Sequence, residues 1–297
     1  MDKNLAAFLA VAQEESLTQA ADRLFVTQPT LSKRIANLES EIGARLFHRE
    51  RRGMRLTDAG KVFLRRAVRI ESEYRQSQEE VNSITSAGLS LLRVGAGPLF
   101  HLNWVAKLFS KLRLEFPETK LELRTDKSVD NGKMLSDGVI DVYLGIVPKE
   151  QLTDSIYVKY LTTVEHGIIL RKDNPLAKGT TIDAVDLQGM SWVSFLYDEV
   201  TESRLLEYSV PKDEQESLID IRTTSFATGL QLVGEGQFVM SAPLQLASIV
   251  EKEGLVIRRA KGGMPQRKAG LYLRKSTMEY RCIRSVINYF EQLTIDL

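Results

Sequence analysis

The sequence predicts an α+β multidomain protein with a small helix-rich head, one long helix and a larger body in which strands and helices alternate. Three observations predict it. Apolar residues recur at helical spacing through the first 45 or so positions. From Thr57 to Gly88 the chain has no Pro and, apart from Gly60, no Gly, and its apolar residues fall at heptad spacing. Beyond that point short apolar runs alternate with helical patterns, as in layered α/β domains. A chain of 297 residues also has room for about two domains.

Composition narrows the function classes. The chain is 43% hydrophobic and 27% charged, ordinary for a globular protein. No stretch approaches the ~18–20 apolar residues that span a membrane, so no membrane partner is expected. Met-Asp-Lys-Asn runs straight into an amphipathic pattern with no basic and apolar leader, so export is not expected and a cytoplasmic setting is. The single cysteine, Cys282, leaves no internal disulfide and no Cys-rich metal cluster. The net charge of +1 hides an asymmetry. Residues 1–69 carry 13 Lys or Arg against 8 Asp or Glu, whereas the rest carries 27 against 31. A basic head on a slightly acidic body points to a polyanion as the head's partner, although a mildly basic domain with no partner has the same balance.

Leu5, Phe8, Leu9 and Ala12 mark one face of a first helix. Ser16-Leu17-Thr18-Gln19 has capping-box spacing for a second, continued by Leu17, Ala20, Ala21 and Leu24. Pro29 suits the first position of a third helix, whose buried face is Leu31, Ile35, Leu38 and Ile42 and whose stop is Gly43. On its other face Thr30, Lys33 and Asn37 point outward, with Arg34 on the flank. Two short helices, the second with a polar and basic outer face, describe a helix-turn-helix that would enter a major groove. A three-helix bundle with a solvated face has the same periodicity. The next segment separates the two, because Arg45, Arg49, Arg51, Arg52 and Arg55 crowd into a hairpin formed by Leu46-Phe47 and Met54-Arg55-Leu56. Arginines beside a recognition helix can grip phosphates or enter a narrow minor groove.

These residues resemble the LysR-type transcriptional regulators. The match runs through Phe8, Val11, Ala12, Ser16-Leu17-Thr18, Ala20-Ala21, Leu24, Val26-Thr27-Gln28-Pro29, Leu31-Ser32, Ile35, Leu38-Glu39, Gly43, Leu46-Phe47, Arg49, Arg52, Leu56-Thr57 and Ala59-Gly60. Arg34 stands where the family commonly has glutamine, and Thr30 where it has alanine or serine, which bears on base preference. The resemblance implies that Thr27 and Ser32 bond phosphates, that Gln28, Thr30, Lys33 and Arg34 approach base edges, that Pro29 is among the DNA-binding residues, and that Arg49, Arg52 and Arg55 hold the backbone or minor groove. It further implies double-stranded DNA as partner, at an interrupted palindrome with a T and an A at its half-site ends. Homodimers or homotetramers are also implied, and RNA polymerase as a further partner.

The head is assigned to residues 1–58 and the long helix to 59–88. Phe63, Ala67, Ile70, Tyr74, Ser77, Val81 and Ile84 recur in steps of four and three, and the rest of this stretch is charged. Such a helix buries too little alone, so pairing with a second copy is expected through Phe63, Ala67, Ile70, Tyr74, Val81 and Ile84; packing on its own chain is the other reading. Ser86-Ala87-Gly88 reads as a hinge.

The body, 89–297, begins with a strand at Leu91–Val94, then a helix to about Phe116, a strand at Lys120–Arg124, a short helix opened by Asp130 and a strand at 141–146. A second series runs through Gly167–Leu170, Ser191–Val193, a helix from Ser225 to about Gly234 and Phe238–Met240. Leu271–Leu273 and a helix near 278–293 close the chain. This alternation implies parallel sheets. The two series resemble the paired α/β subdomains of the LysR effector domain, of periplasmic-binding-protein type, with subdomain I at about 89–163 and 268–297 and subdomain II at about 164–267. Thr162-Thr163-Val164 and the stretch 262–268 would be the crossings. Ligands of such sheets bind beyond the strands' carboxyl ends, here Gly97, Pro98, Leu99, Thr125, Lys127, Ser194, Thr224, Ser225 and Ser241, with Phe100, Phe195 and Phe226 as an apolar wall. Helix N-termini there would favour an anionic small-molecule effector. Each Ser or Thr of the set is equally a candidate helix cap.

Catalysis is not expected. His48, His101 and His166 lie in different regions, and no Walker-type loop, His-Glu-x-x-His or Gly-x-Ser-x-Gly occurs. No catalytic residue, cofactor or metal site is assigned. A transport-type solute-binding protein is disfavoured by the basic head and by the expected lack of a leader. The reading is therefore a DNA-binding transcription regulator under small-molecule control.

Overall fold

The computed structural model describes residues 2–50, 53–84, 89–125, 131–147, 149–187, 189–195, 219–262, 264 and 266–293. The chain divides into two compact units, Met1–Ala87 with Asp137–Val139, and Gly88–Ser136 with Ile140–Leu297.

The first unit opens with α1 (Lys3–Glu14), α2 (Leu17–Arg23) and α3 (Gln28–Ile42). Each start is set by a side chain that satisfies free backbone N–H groups. The Asp2 carboxylate accepts from the Asn4 and Leu5 amides, Ser16 from Gln19, and Thr27 from Thr30. Pro29 falls on the second helical position, with Gln28 on the first. Gly43, at φ 73°, ends α3. Ala20 and Ala21 are fully buried, and their small side chains let α1 and α3 close over α2.

A hairpin of β1 (Phe47–Glu50) and β2 (Gly53–Leu56) follows, pairing His48 with Arg55 and Arg49 with Met54. Its turn end is tied to the end of α1. The Met54 amide donates to the Glu15 carbonyl at 2.8 Å, and a Cβ on Gly53 would come within 2.4 Å of that oxygen. Only glycine allows this approach. Then α4 (Asp58–Ile84) begins, with Thr57 accepting from the Gly60 amide. The head's core surrounds Phe8, whose ring packs on Phe47 and Phe63 at 5.2 and 5.0 Å between centroids.

The second unit holds two sheets. The five-stranded sheet is ordered β4 (Lys120–Arg124), β3 (Leu91–Ala96), β5 (Val142–Gly145), β13 (Arg267–Arg274), β6 (Ile156–Val164). The six-stranded sheet is ordered β10 (Ile219–Thr223), β9 (Ser191–Phe195), β11 (Phe238–Pro243), β7 (His166–Arg171), β12 (Leu255–Ala260), β8 (Thr181–Ile182). The expectation of parallel sheets is corrected: both are mixed. Pairs β3–β4 and β3–β5 are parallel, but β13 runs antiparallel to β5 and β6. In the second sheet β7 is antiparallel to β11 and β12. The reason lies in the crossings. Only Glu165 separates β6 from β7, so the chain leaves one sheet and enters the other in extended form, and β13 later joins the first sheet between β5 and β6.

The helices of this unit are α5 (Pro98–Phe100), continued by a π-turn at His101–Val105 and by α6 (Ala106–Glu115), then α7 (Asn131–Ser136), α8 (Phe226–Glu235), α9 (Ala247–Lys252) and α10 (Arg281–Glu291). Strands β6, β8, β10 and β12 and helix α9 were not foreseen from the sequence. Asp130, Lys127, Arg51, Arg52 and the hinge at Ser86-Ala87-Gly88 lie outside the described residues.

Candidate functional site

In the head, the apolar stripe of α3 is turned inward, with Leu31, Ile35 and Leu38 buried. That places Thr27, Gln28, Pro29, Thr30, Lys33 and Asn37 on the exposed side, with Ser32 and Arg34 half-buried on its flanks. The Thr27 and Thr30 hydroxyls lie 2.8 Å apart, which fixes both rotamers at the start of the helix. The hairpin leaves His48 and Arg55 exposed on neighbouring strands, and Arg45 is exposed just before it. Glu39, inside α3, accepts from the Leu46 and Phe47 amides at 2.7 and 3.2 Å. Helix and hairpin are thus joined by hydrogen bonds, so hydroxyls, a lysine and arginines are held on one small rigid frame. Hydroxyl, amide and guanidinium donors of this kind suit phosphates and base edges. Arg49 is placed by its backbone on β1, and Arg52 lies outside the described residues.

Along α4 the heptad divides in two, which corrects part of the expected pairing face. Ala67 is 0% exposed and Phe63 is packed on the head's core, so both serve their own chain. Further along, Ile70, Tyr74 and Val81 remain exposed. Ile84 ends the helix, and its side chain lies outside the described residues. A groove of about 320 Å³, lined by Leu9, Ala12, Leu24, Leu64 and Val68 among others, runs between α4 and the first two helices.

In the body, the carboxyl-end candidates are dispersed. Leu99 and Phe100 belong to the core, with Phe100 1% exposed and packed on Trp104 and Phe290. Phe226 is also buried, its ring 6.0 Å from that of half-buried Phe195. The expected apolar wall is therefore corrected for Leu99, Phe100 and Phe226, because packing between helix and sheet claims them first. Ser225 caps α8, accepting from the Thr228 amide. The Gly97 amide is spent on the Leu144 carbonyl at 2.9 Å, and Pro98 is half-buried beside it. Ser241 lies 3.0 Å from Nδ1 of His166 at the crossing between sheets. Ser194 is half-buried, while Thr224 and Thr125 are exposed.

Thr125 joins a recess that also includes Gly95, Ala96, Arg124, Asn131, Met134, Ile140 and Tyr143. It lies at the carboxyl ends of β3 and β4 and, at about 10 Å³, has room for one water. Arg124, Asn131 and Tyr143 were not picked out from the sequence. The strand-end rule reaches Arg124, the last residue of β4, but nothing local brings Tyr143 beside it. In the π-turn after α5, burial holds the His101 imidazole below its usual pKa.

The crossing between the sheets is itself bonded. Buried Glu165 pairs with Arg259 at 2.5 Å and accepts from Gln266, and Gln245 donates to the Thr163 carbonyl. Lys268, expected in a crossing, lies within β13 with its ammonium 5.1 Å from the centre of the Tyr160 ring.

Residues 3–61 match the model of the bacterial regulatory helix-turn-helix protein, lysR family, and residues 89–294 that of the LysR substrate binding domain. Among curated relatives, the transcriptional regulator ShiR of Corynebacterium glutamicum is 33% identical over 62% of each chain. The Hca operon transcriptional activator HcaR of Escherichia coli is 29% identical over 81% of each. The ShiR match thus spans less than two thirds of that relative's length. Among solved structures, CbnR, a LysR family regulator, is similar with a TM-score of 0.68 at 20% identity, covering all of both chains. Full-length CbnR complexed with its target DNA gives 0.65 at 19% identity, covering 98% of this chain and 99% of that one. Full-length OxyR from Pseudomonas aeruginosa gives 0.68 at 21%, covering 98% of this chain and 94% of that one. These structural likenesses concern the fold. With one model matching the head and the other nearly the whole body, the chain belongs to the LysR family of bacterial transcriptional regulators.

Proposed function

We propose that the protein is a dimeric transcription regulator whose paired heads read an interrupted palindrome and whose body answers to a small anionic molecule. The observation that carries this reading is the start of α3. Thr27, Gln28, Pro29, Thr30 and Lys33 are exposed together there, and Glu39 farther along the same helix bonds the hairpin segment that carries the exposed Arg55. Donors at the N-terminal end of a recognition helix meet base edges, while arginines alongside hold the backbone. The exposed Ile70, Tyr74 and Val81 would bring two copies together, so that two half-sites are occupied at once.

In the body, Arg124 at the end of β4, which also pairs with Glu122, and Asn131 at the start of α7 favour a carboxylate or similar anion, and the bonded crossing at Glu165 offers an element for a ligand to bias. Effector binding would shift the population between two body conformations, and the long helix would pass the change to the heads. RNA polymerase is proposed as the further partner and the cytoplasm as the setting. No helix among the described residues is long and apolar enough to cross a membrane.

The test is a low-salt gel shift with duplexes selected by the protein from a random-sequence pool. Recovery of a palindrome bound by two copies supports the reading, and failure to compete any bound duplex rejects it. Thermal-shift screening of organic acids tests the effector, since a ligand of the folded state raises Tm.

A further inference from the structure

We propose that Phe25 is a nonpolar contact to the duplex at the entrance to the recognition helix, packing on an aliphatic carbon of the DNA. This deepens the DNA-binding reading and rests on it. Helix α2 ends in a two-bond cap, in which the Val26 amide donates to the Ala21 carbonyl at 3.0 Å and the Phe25 amide to Asp22 at 3.1 Å. This cap requires a left-handed backbone at Phe25, and its φ is 52°. Glycine fits that conformation, and the chain uses glycine in the equivalent role after α3, at Gly43. A bulky side chain there is strained.

Nor does the ring repay the strain in the fold. Phe25 is 95% exposed, the most exposed of the large hydrophobic residues described, and the apolar contacts of the cap are supplied by Val26 and Ala21, which pack in the head's core. The fold needs the left-handed turn but has no use for the ring.

Position supplies a use. Phe25 stands two residues before Thr27, which caps α3, and is continuous in sequence with the exposed surface of Thr27, Gln28, Pro29 and Thr30. A duplex seated on the start of α3 meets this turn at its margin. Thymine methyl groups line the major groove and deoxyribose carbons line its edge, and a phenyl ring can pack on either. The apolar stripe for a second copy lies elsewhere, on α4.

The test uses the full chain and a duplex that it retains from a random-sequence pool. Phe25→Asn and Phe25→Gly keep the left-handed turn and remove the ring, while Phe25→Tyr keeps the ring. The Asn and Gly variants are expected to melt at or above the parent temperature and to bind roughly tenfold more weakly. Their salt dependence should not change, since no phosphate contact is lost. Phe25→Tyr should bind within about threefold of the parent. Replacing thymine by deoxyuridine separates the two carbon sources. A loss seen with the parent but not with Phe25→Asn assigns the methyl, and an equal loss in both assigns the deoxyribose. Parental affinity in the Asn and Gly variants overturns the inference. So does weakening that accompanies a lower Tm or dissociation of the dimer in sedimentation. If the parent retains no duplex at all, the DNA-binding reading itself falls.

Discussion

The head and the body solve the problem of presenting polar groups in opposite ways. In the head, three helices, a hairpin and the start of α4 close around Phe8, and few outward groups of α3 have structural duties. In the body, each sheet is completed by strands far apart in sequence, and many polar groups are consumed in holding it together. Arg274 and Asp141 show this. They form a buried ion pair at 2.9 Å, while Arg274 also donates to the Leu135 and Ile140 carbonyls and Asp141 accepts from the Arg93 amide. Ser225, Gly97 and Asp141 are similarly occupied. A surface free of structural work can be given over to a ligand, whereas a strand end must first satisfy its own backbone.

The comparison can be broken most sharply at Asp141. Asp141→Ala strands the buried Arg274 charge and is expected to cost about 3–5 kcal/mol, read as a lower denaturation midpoint of the full chain. Hydrogen exchange should place the loss in the body and leave the head's amides protected. The matching change in the head is Leu31→Ala, at a fully buried position, expected to cost about 2–5 kcal/mol and to abolish duplex binding while the body stays protected. If either change unfolds both units equally, their independence fails.

Smaller effects sharpen the division along α4. Ile70→Glu or Tyr74→Glu should shift the protein toward monomer in sedimentation, with a loss of roughly 1.5–3 kcal/mol for each side chain fully buried between copies, and leave monomer Tm near its parent value. Phe63→Ala should lower Tm instead, because that ring belongs to the head's core. Lys33→Ala should leave stability unchanged and lower the slope of log affinity against log salt by about one if it neutralises a phosphate.

The smallest effect is on pH dependence. His101 has a depressed pKa in the folded body, so as pH falls below its usual value of 6.5 the unfolded chain takes up a proton that the folded chain resists. Stability at this site is full above pH 7 and declines as pH falls through 6.5. A His101→Phe variant should show a flatter Tm profile between pH 7 and 5.5.

How much was legible in the sequence follows the same division. The helices of the head, the cap at Ser16, the stop at Gly43 and the outward face of α3 all depend on residues within a few positions of one another, whereas the cap at Thr27 was not read because Pro29 was placed one position too early in the helix. Periodicity and capping chemistry reach that far. Strand β6 was missed because its nine residues lack clean alternation: it is a sheet edge, and most of its side chains are half-buried. Phe63 and Ala67 were read as a pairing face because the heptad is continuous; nothing local says that the first three turns of α4 pack into the head's core. Leu99, Phe100 and Phe226 sit where ligand contacts are expected by topology, and their burial follows from helices α6, α8 and α10 folding onto the sheets. Phe25 escaped notice because its apolar side chain reads as core.

The amino-acid sequence alone determined the helix-turn-helix, the basic hairpin, the long helix and the alternation of the body, since each is written in spacings of two to seven residues. Tertiary structure decided the mixed sense of the sheets, the division of the α4 stripe and which strand-end groups stay free. Those outcomes depend on which distant segments meet, and burial and hydrogen bonding between them are not encoded in any short window.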